Sequence, residues 1–210
     1  MSLNKKYMKI IRHYEHCLEK YGDSHLGVDW PSYEDAQTRY RIMMEALKSN
    51  DKGLISVLDF GCGAGHLYEY ILRNDINNIE YRGLDISHKF IELCKSKFPD
   101  LQFTCADILD EPNAFSETDY IIMNGVFTEK RELEYVEMLE YFKEVIKICF
   151  NRVRKGMAFN VMSKYVDWER DDLFHLPFDE LGHFLTAEVS RNFVIRDDYG
   201  LYEYTVYIYK

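Results

Sequence analysis

From Val57 onward, short apolar runs alternate with segments of helical period, and this alternation constrains the fold more than any other feature. "ISVLDF" (55–60), "IEYRGLDI" (79–86), "LQFTCAD" (101–107), "DYIIMNGVF" (119–127) and "GMAFNVMS" (156–163) read as strands. Between them "HLYEYILRN" (66–74) and "HKFIELCKSKF" (88–98) read as helices. A longer one spans 133–153, with Leu139, Phe142, Val145, Ile146 and Cys149 on one stripe. Strands spaced by such helices predict a parallel sheet covered on both faces. The tail differs: residues 190–210 read as two strands around the turn signal "DDYG" (197–200), an antiparallel hairpin at the sheet edge. The expected class is therefore α/β: a seven-stranded, mostly parallel, doubly wound sheet with a C-terminal hairpin.

Some fifty residues precede the first strand, rich in Tyr and His, with a helix predicted over Tyr33–Leu47. They read as a helical cover over the mouth of the sheet. With 210 residues and no repeat or linker, the expectation is a single domain over 1–210, cover 1–52 and core 53–210. No apolar run approaches the ~20 residues of a membrane span, and "MSLNKKYMKIIRHYEHC" has no signal-peptide pattern. Five cysteines without a CxxC pair fit free thiols in a reducing cytoplasm better than a disulfide framework or a zinc site. A net charge of −10 argues against nucleic acid and anionic membranes as partners. The one basic cluster, "RVRK" (152–155), reads as solvated charge at a strand start.

The first strand runs into "DFGCGAGH" (59–66). A strand ending in a glycine loop that enters a helix binds an anion or a closely packed cofactor. Here the glycines run G-x-G-x-G (Gly61, Gly63, Gly65), and His66 stands where a dinucleotide fingerprint has its last glycine. Asp59 places a negative charge at the ligand end, which repels pyrophosphate and suits a cation. Asp85 ends the second strand, where a carboxylate accepts both hydroxyls of a ribose. Asp107 ends the third and can receive an adenine amino group, with Ile86 and Ile108 flanking the ring. Cys62, inside the loop, is a further cofactor-binding candidate and could be redox-active. Each has a plainer alternative: Asp59 as a turn cap, Asp85 as a helix-start residue, Asp107 as a solvated carboxylate, Cys62 as a small space-filler in the loop.

"VLDFGCGAG", "GLDIS", "CADIL" and "DYIIMNGVF" resemble, in order, the motifs of class I S-adenosylmethionine-dependent methyltransferases. The resemblance implies S-adenosylmethionine as cofactor, released as S-adenosylhomocysteine. It also implies that Gly61 and Gly63 admit the methionyl part, Asp59 steers the cation or orders the loop, and Asp85 holds the ribose. Asp107 and Ile108 then meet the adenine, and Asn124 with Gly125 borders the cofactor. Upstream, "VDWPSYEDAQTRYRIMMEAL" (28–47) is similar to a tryptophan-then-arginine-aromatic pattern of some small-molecule members. This implies Arg39 on the methionyl carboxylate and Trp30 over the cofactor; a surface ion pair and simple packing are the alternatives.

The sulfonium methyl is already activated, so in-line transfer needs placement more than a base. "SKYVDWERDDLFHLPFDEL" (163–181) follows the fifth strand at the same mouth, and Ser163, Tyr165, Trp168 and His175 are candidates for an acceptor pocket there. His175 is the candidate catalytic base, with packing in a Phe/Leu-rich segment as the alternative; His25 and His66 are weaker candidates. "MNGVF" is not the Asn-Pro-Pro-aromatic motif of amino-methylating members, and no carboxylate set of the catechol type is present, so no metal is expected. The reading is a methyltransferase for a small-molecule acceptor such as a sugar. The alternative is a non-catalytic S-adenosylmethionine-binding module. A nicotinamide-dependent oxidoreductase fails on glycine spacing.

Overall fold

A computed structural model describes residues 5–48 and 53–210, so the expected boundary between cover and core at 52/53 adjoins a segment outside the described residues. Seven strands form one sheet in the order β3-β2-β1-β4-β5-β7-β6. They are β1 (Ile55–Phe60), β2 (Ile79–Asp85), β3 (Gln102–Cys105), β4 (Thr118–Phe127), β5 (Val153–Met162), β6 (Phe193–Arg196) and β7 (Glu203–Tyr209). The first five pair in parallel. Strand β7 runs antiparallel between β5 and β6, so the terminal hairpin closes one edge as expected.

Both faces are covered, and all six residues of β1 are buried. Leu58 and Phe60 point into one core with Phe142, Val145 and Ile146 of α5 (Tyr135–Phe150). Ile55 and Val57 point into the other. There they meet α2 (Tyr33–Met44), α3 (His66–Arg73) and α4 (His88–Lys97). The strand period of two sends alternate side chains to opposite faces, which is why the strand reads as a continuous apolar run. Strand β7 is likewise buried on both faces, and even Glu203 and Thr205 are enclosed. Ser32 caps α2, its side chain accepting from the Asp35 N–H at 3.1 Å.

Two helices add to those expected. Helix α1 (Met8–Tyr21) lies before the cover helix, and the short α6 (Phe178–Phe184) follows the loop after β5. Helix α1 is joined to α2 through a 3₁₀ turn at Leu26–Val28, against which it packs. Strands β2 and β4 flank β1, so the chain reverses direction across the sheet at the β1/β4 boundary. In open α/β sheets that reversal leaves a crevice beyond the carboxyl ends of the strands. Among the described residues, no helix is long and apolar enough to cross a membrane.

Candidate active site

A cavity opens at that crevice. Asp59, Gly61, Cys62, Gly63, Asp85, Ile86, Asp107, Ile108, Asn124 and Trp30 all line it. These residues come from four strand ends and the cover, and only the sheet brings them together.

The floor is a set of carboxylates held by hydrogen bonds. Asp85 Oδ2 accepts from the Gly63 N–H at 2.9 Å and Oδ1 from the Ser87 N–H at 2.8 Å. It thereby ties the glycine loop to the start of α4, combining the helix-start role with a place in the cavity wall. Burial raises its carboxyl to about 6, against the two N–H donors. Asp59 Oδ2 accepts from the Tyr81 hydroxyl at 2.6 Å. Burial and the neighbouring Asp85 push Asp59 up to about 7, although the Tyr81 bond opposes the shift. Burial of two carboxyls side by side disfavours their ionisation, and such perturbed groups in a crevice make it a candidate site. Asp107 accepts from the Tyr7 hydroxyl at 2.7 Å and the Leu109 N–H at 3.1 Å. Cys62 is 6% exposed, and burial beside Cys94 and the two carboxylates holds its thiol well above the usual range.

The loop needs glycine at Gly61: φ is +71°, and a Cβ there would stand 2.7 Å from the Val126 side chain. The other wall is built around Gly125, with φ at +79°. Its N–H donates to Asn160 Oδ1 at 2.7 Å. Its carbonyl accepts from the Tyr14 and Thr128 hydroxyls at 3.3 and 3.2 Å. A Cβ on Gly125 would meet Trp30 at 2.6 Å, so the indole lies directly on this backbone. Beside it the Asn124 Oδ1 is buried with no protein partner. An orphaned acceptor in a cavity wall is a receptor for a ligand N–H or O–H.

Residues 57–149 match the family model described as "Methyltransferase domain", a span running from β1 through the loop to α5. Over that span the chain is similar to methyltransferase domains. The Mycobacterium tuberculosis protein named "Putative methyltransferase Rv1506c" is 27% identical over 160 residues, covering 74% of this chain and 93% of that one. The magnesium protoporphyrin IX methyltransferase of Synechocystis PCC 6803, solved with bound SAM, superposes with a TM-score of 0.64 at 15% identity, covering 96% of each chain. The plantazolicin methyltransferase BamL, solved with SAH, gives 0.66 at 13% identity, covering 97% of this chain and 98% of that one. At these identities the solved structures show a shared fold.

Three expectations for the site are corrected. Arg39 does not line the cavity. Its Nε donates to Glu203 Oε2 at 2.8 Å, and its guanidinium lies 4.0 Å from the Trp30 ring centroid. It braces Trp30 from behind, because the buried carboxylate of β7 is the nearer partner. His175 does not line the cavity either. Its Nδ1 lies 2.6 Å from the Ser163 carbonyl and its Nε2 accepts from the Arg170 N–H at 3.3 Å, so both nitrogens are engaged. It packs, 4% exposed, and has no free nitrogen for a base. The 163–177 segment as a whole contributes nothing to the cavity. Phe174 and Leu176 plug the core beneath β4 and β5, while Tyr165 and Trp168 face outward.

What takes that place was missed. Tyr7, Ile10, Ile11 and Tyr14, at the start of and on α1, roof the cavity. Tyr7 stacks on Tyr141 of α5 at 4.8 Å. The signal was available, since Ile10, Tyr14 and Cys17 fall at helical spacing. Of the weaker histidines, His66 lines the cavity and bonds Asp23 at 2.8 Å, while His25 Nδ1 lies 2.6 Å from the Trp30 carbonyl oxygen.

Proposed function

We propose that this chain transfers a methyl group from S-adenosylmethionine to a small-molecule acceptor, with cover (1–52) and core (53–210) acting as one domain. The observation that carries the reading is the convergence of Asp59, Asp85, Asp107 and Asn124 on one cavity under an aromatic roof. The residues fit the cofactor. Asp85 at the end of β2 supports a contact to ribose hydroxyls, Asp107 and Ile108 after β3 support one to adenine, and the Asn124 Oδ1 offers an acceptor that no protein group uses. Gly61 leaves room for close approach of the methionyl part.

When bound, the cofactor supplies an electrophilic methyl. The chain's own residues orient and shelter it. Asp59 and Asp85 supply negative charge toward a cation, Trp30 and Tyr14 close the wall at Gly125, and α1 excludes water from above. The space beneath Tyr7, Tyr14 and Trp30 suits a compact, partly apolar acceptor. The five free cysteines support a reducing, cytoplasmic setting.

Calorimetry tests the cofactor. S-adenosylmethionine and S-adenosylhomocysteine should each bind once and NAD should not; binding of NAD alone would overturn the reading. A screen of small-molecule acceptors, read out as S-adenosylhomocysteine release, tests catalysis. Cofactor binding without turnover on any acceptor class would favour the non-catalytic binding module.

A further inference from the structure

We infer that His13, Cys17 and Asp29 form a binding site for a zinc-class divalent cation that clasps the roof helix to the wall of the cavity. His13 and Cys17 stand four residues apart on α1 and so share one helix face. Asp29 follows the 3₁₀ turn that packs against that face. His13 Nε2 is the focus: Asp29 Oδ2 lies 2.7 Å from it and Cys17 Sγ 3.8 Å from it. All three donor atoms fall within 4.8 Å of one another. Ligands on one tetrahedral zinc stand about 3.3–3.6 Å apart, from bond lengths of about 2.0–2.3 Å. A metal between them needs the His13–Asp29 pair to open by roughly half an ångström, with the Cys17 thiol and the Asp29 carboxylate turning toward it from within 4.8 Å of each other.

The donor set selects the metal. One imidazole nitrogen, one thiolate and one carboxylate form a borderline-soft set that suits zinc, whereas calcium and magnesium take oxygen. A neutral imidazole, a thiolate and a carboxylate carry two negative charges, which a divalent cation cancels, so the occupied site is neutral in a half-buried place. The nearby Arg131 does not compete, because its guanidinium is 3.3 Å from both Glu129 and Asp172. Three protein ligands leave the fourth position to water. The other grouping of this kind among the described residues, Asp23, His66 and Glu69, already holds a cation: the Lys97 ammonium lies 2.8 Å from both carboxylates.

The clasp has a consequence for the cavity although none of its three ligands lines it. Tyr14 of the roof lies one residue from His13, and Trp30 of the wall is the residue after Asp29. A metal there fixes the roof against the wall with no part in methyl transfer. The inference therefore stands independently of the acceptor and of the proposed activity.

The test uses the full chain, stripped with a chelator, dialysed and titrated with Co²⁺ and then Zn²⁺. One equivalent of Co²⁺ should bind with a thiolate-to-cobalt charge-transfer absorption, and Zn²⁺ should displace it. Cys17→Ser should abolish the absorption, while Cys105→Ala, which removes the exposed thiol, should leave it intact. Asp29→Asn should weaken binding by at least about tenfold, since losing a mere outer-shell partner already costs about that much. This last variant removes no buried side chain and covers the case in which Cys17→Ser does not fold. Absence of the absorption at equimolar metal, its survival in Cys17→Ser, unchanged affinity in Asp29→Asn, or its loss in His66→Ala would each overturn the site.

Discussion

Arg39 Nε donates to Glu203 Oε2 at 2.8 Å across 164 residues of chain, with 11% of the one side chain and 1% of the other exposed. The pair does not stand alone. Glu203 Oε1 accepts from Asn160 Nδ2 at 2.8 Å, and Asn160 Oδ1 accepts from the Gly125 N–H at 2.7 Å. A buried polar chain thus runs from the cover helix through the last strand to the cavity wall. Removing one member strands the opposite charge in the interior, which costs about 3–5 kcal/mol. Arg39→Ala should therefore lower the urea midpoint strongly, and Arg39→Met with Glu203→Gln, which removes both charges and keeps an oxygen for Asn160 Nδ2, should recover part of the loss. A single-variant loss below about 1 kcal/mol would free Arg39 for the ligand-binding role that the sequence assigned to it.

Asp85→Ala should weaken S-adenosylmethionine binding by roughly 1.5–3 kcal/mol, the usual value of hydrogen bonds to a charged group. The Gly63 N–H also loses its acceptor, so the loop loosens as well. Asp85→Asn keeps an acceptor oxygen and should fall between. Calorimetry on folded variants checks this, and an unchanged dissociation constant would leave Asp85 as a helix-start residue only.

The two raised carboxyls predict opposite pH trends for the free and the bound chain. Asp59 sits at about 7 and Asp85 at about 6, above the value of about 3.9 for an unfolded Asp. Between these values the folded state binds more protons than the unfolded state. Their contribution to stability is complete below about pH 4 and is lost as pH rises through 6 to 7. The unliganded chain should lose denaturant resistance from pH 5 to 8 on their account, and Asp59→Asn should flatten that slope. A cationic ligand favours the ionised carboxylates, so affinity for S-adenosylmethionine should rise over the same interval. S-adenosylhomocysteine, with a neutral sulfur, should show less of this. Calorimetry across the pH range reads both, and parallel pH profiles for the two ligands would refute the charge argument.

Gly125→Ala should displace Trp30, which stands 2.6 Å from the position the new Cβ would take. The backbone at φ +79° adds strain of about 1–3 kcal/mol. The expected result is a lower thermal midpoint, altered tryptophan fluorescence and weaker cofactor binding. Unaltered fluorescence with normal affinity would show that the wall tolerates a methyl group.

His175→Ala should act on stability alone. It leaves the Ser163 carbonyl and the Arg170 N–H without their partner, a loss of about 1–3 kcal/mol. Cofactor affinity should be unchanged. A variant of normal stability with impaired turnover on an identified acceptor would return His175 to the list of bases.

The sequence by itself determined the sheet, the order of its motifs and the residues at its strand ends. Period-two and period-3.6 patterns are local, and so is the glycine spacing that places Asp59, Gly61 and Gly63 on a loop and Asp85 and Asp107 at strand ends. Hence β1 through β5, the terminal hairpin and most of the cavity floor were legible. What only the tertiary structure decided is which side chain faces which. Arg39 turned from the cavity to Glu203 because β7, far along the chain, carries a buried carboxylate to its side. His175 became packing because the loop after β5 folds down onto β4 and β5 rather than over the cavity. Helix α1 took the roof instead, its buried Ile10 and partly buried Tyr14 lining the cavity beside strand ends remote in sequence. Partners chosen by long-range burial leave no period in the chain. The pattern shows that a side chain is apolar or charged, and only the packed molecule shows what it meets.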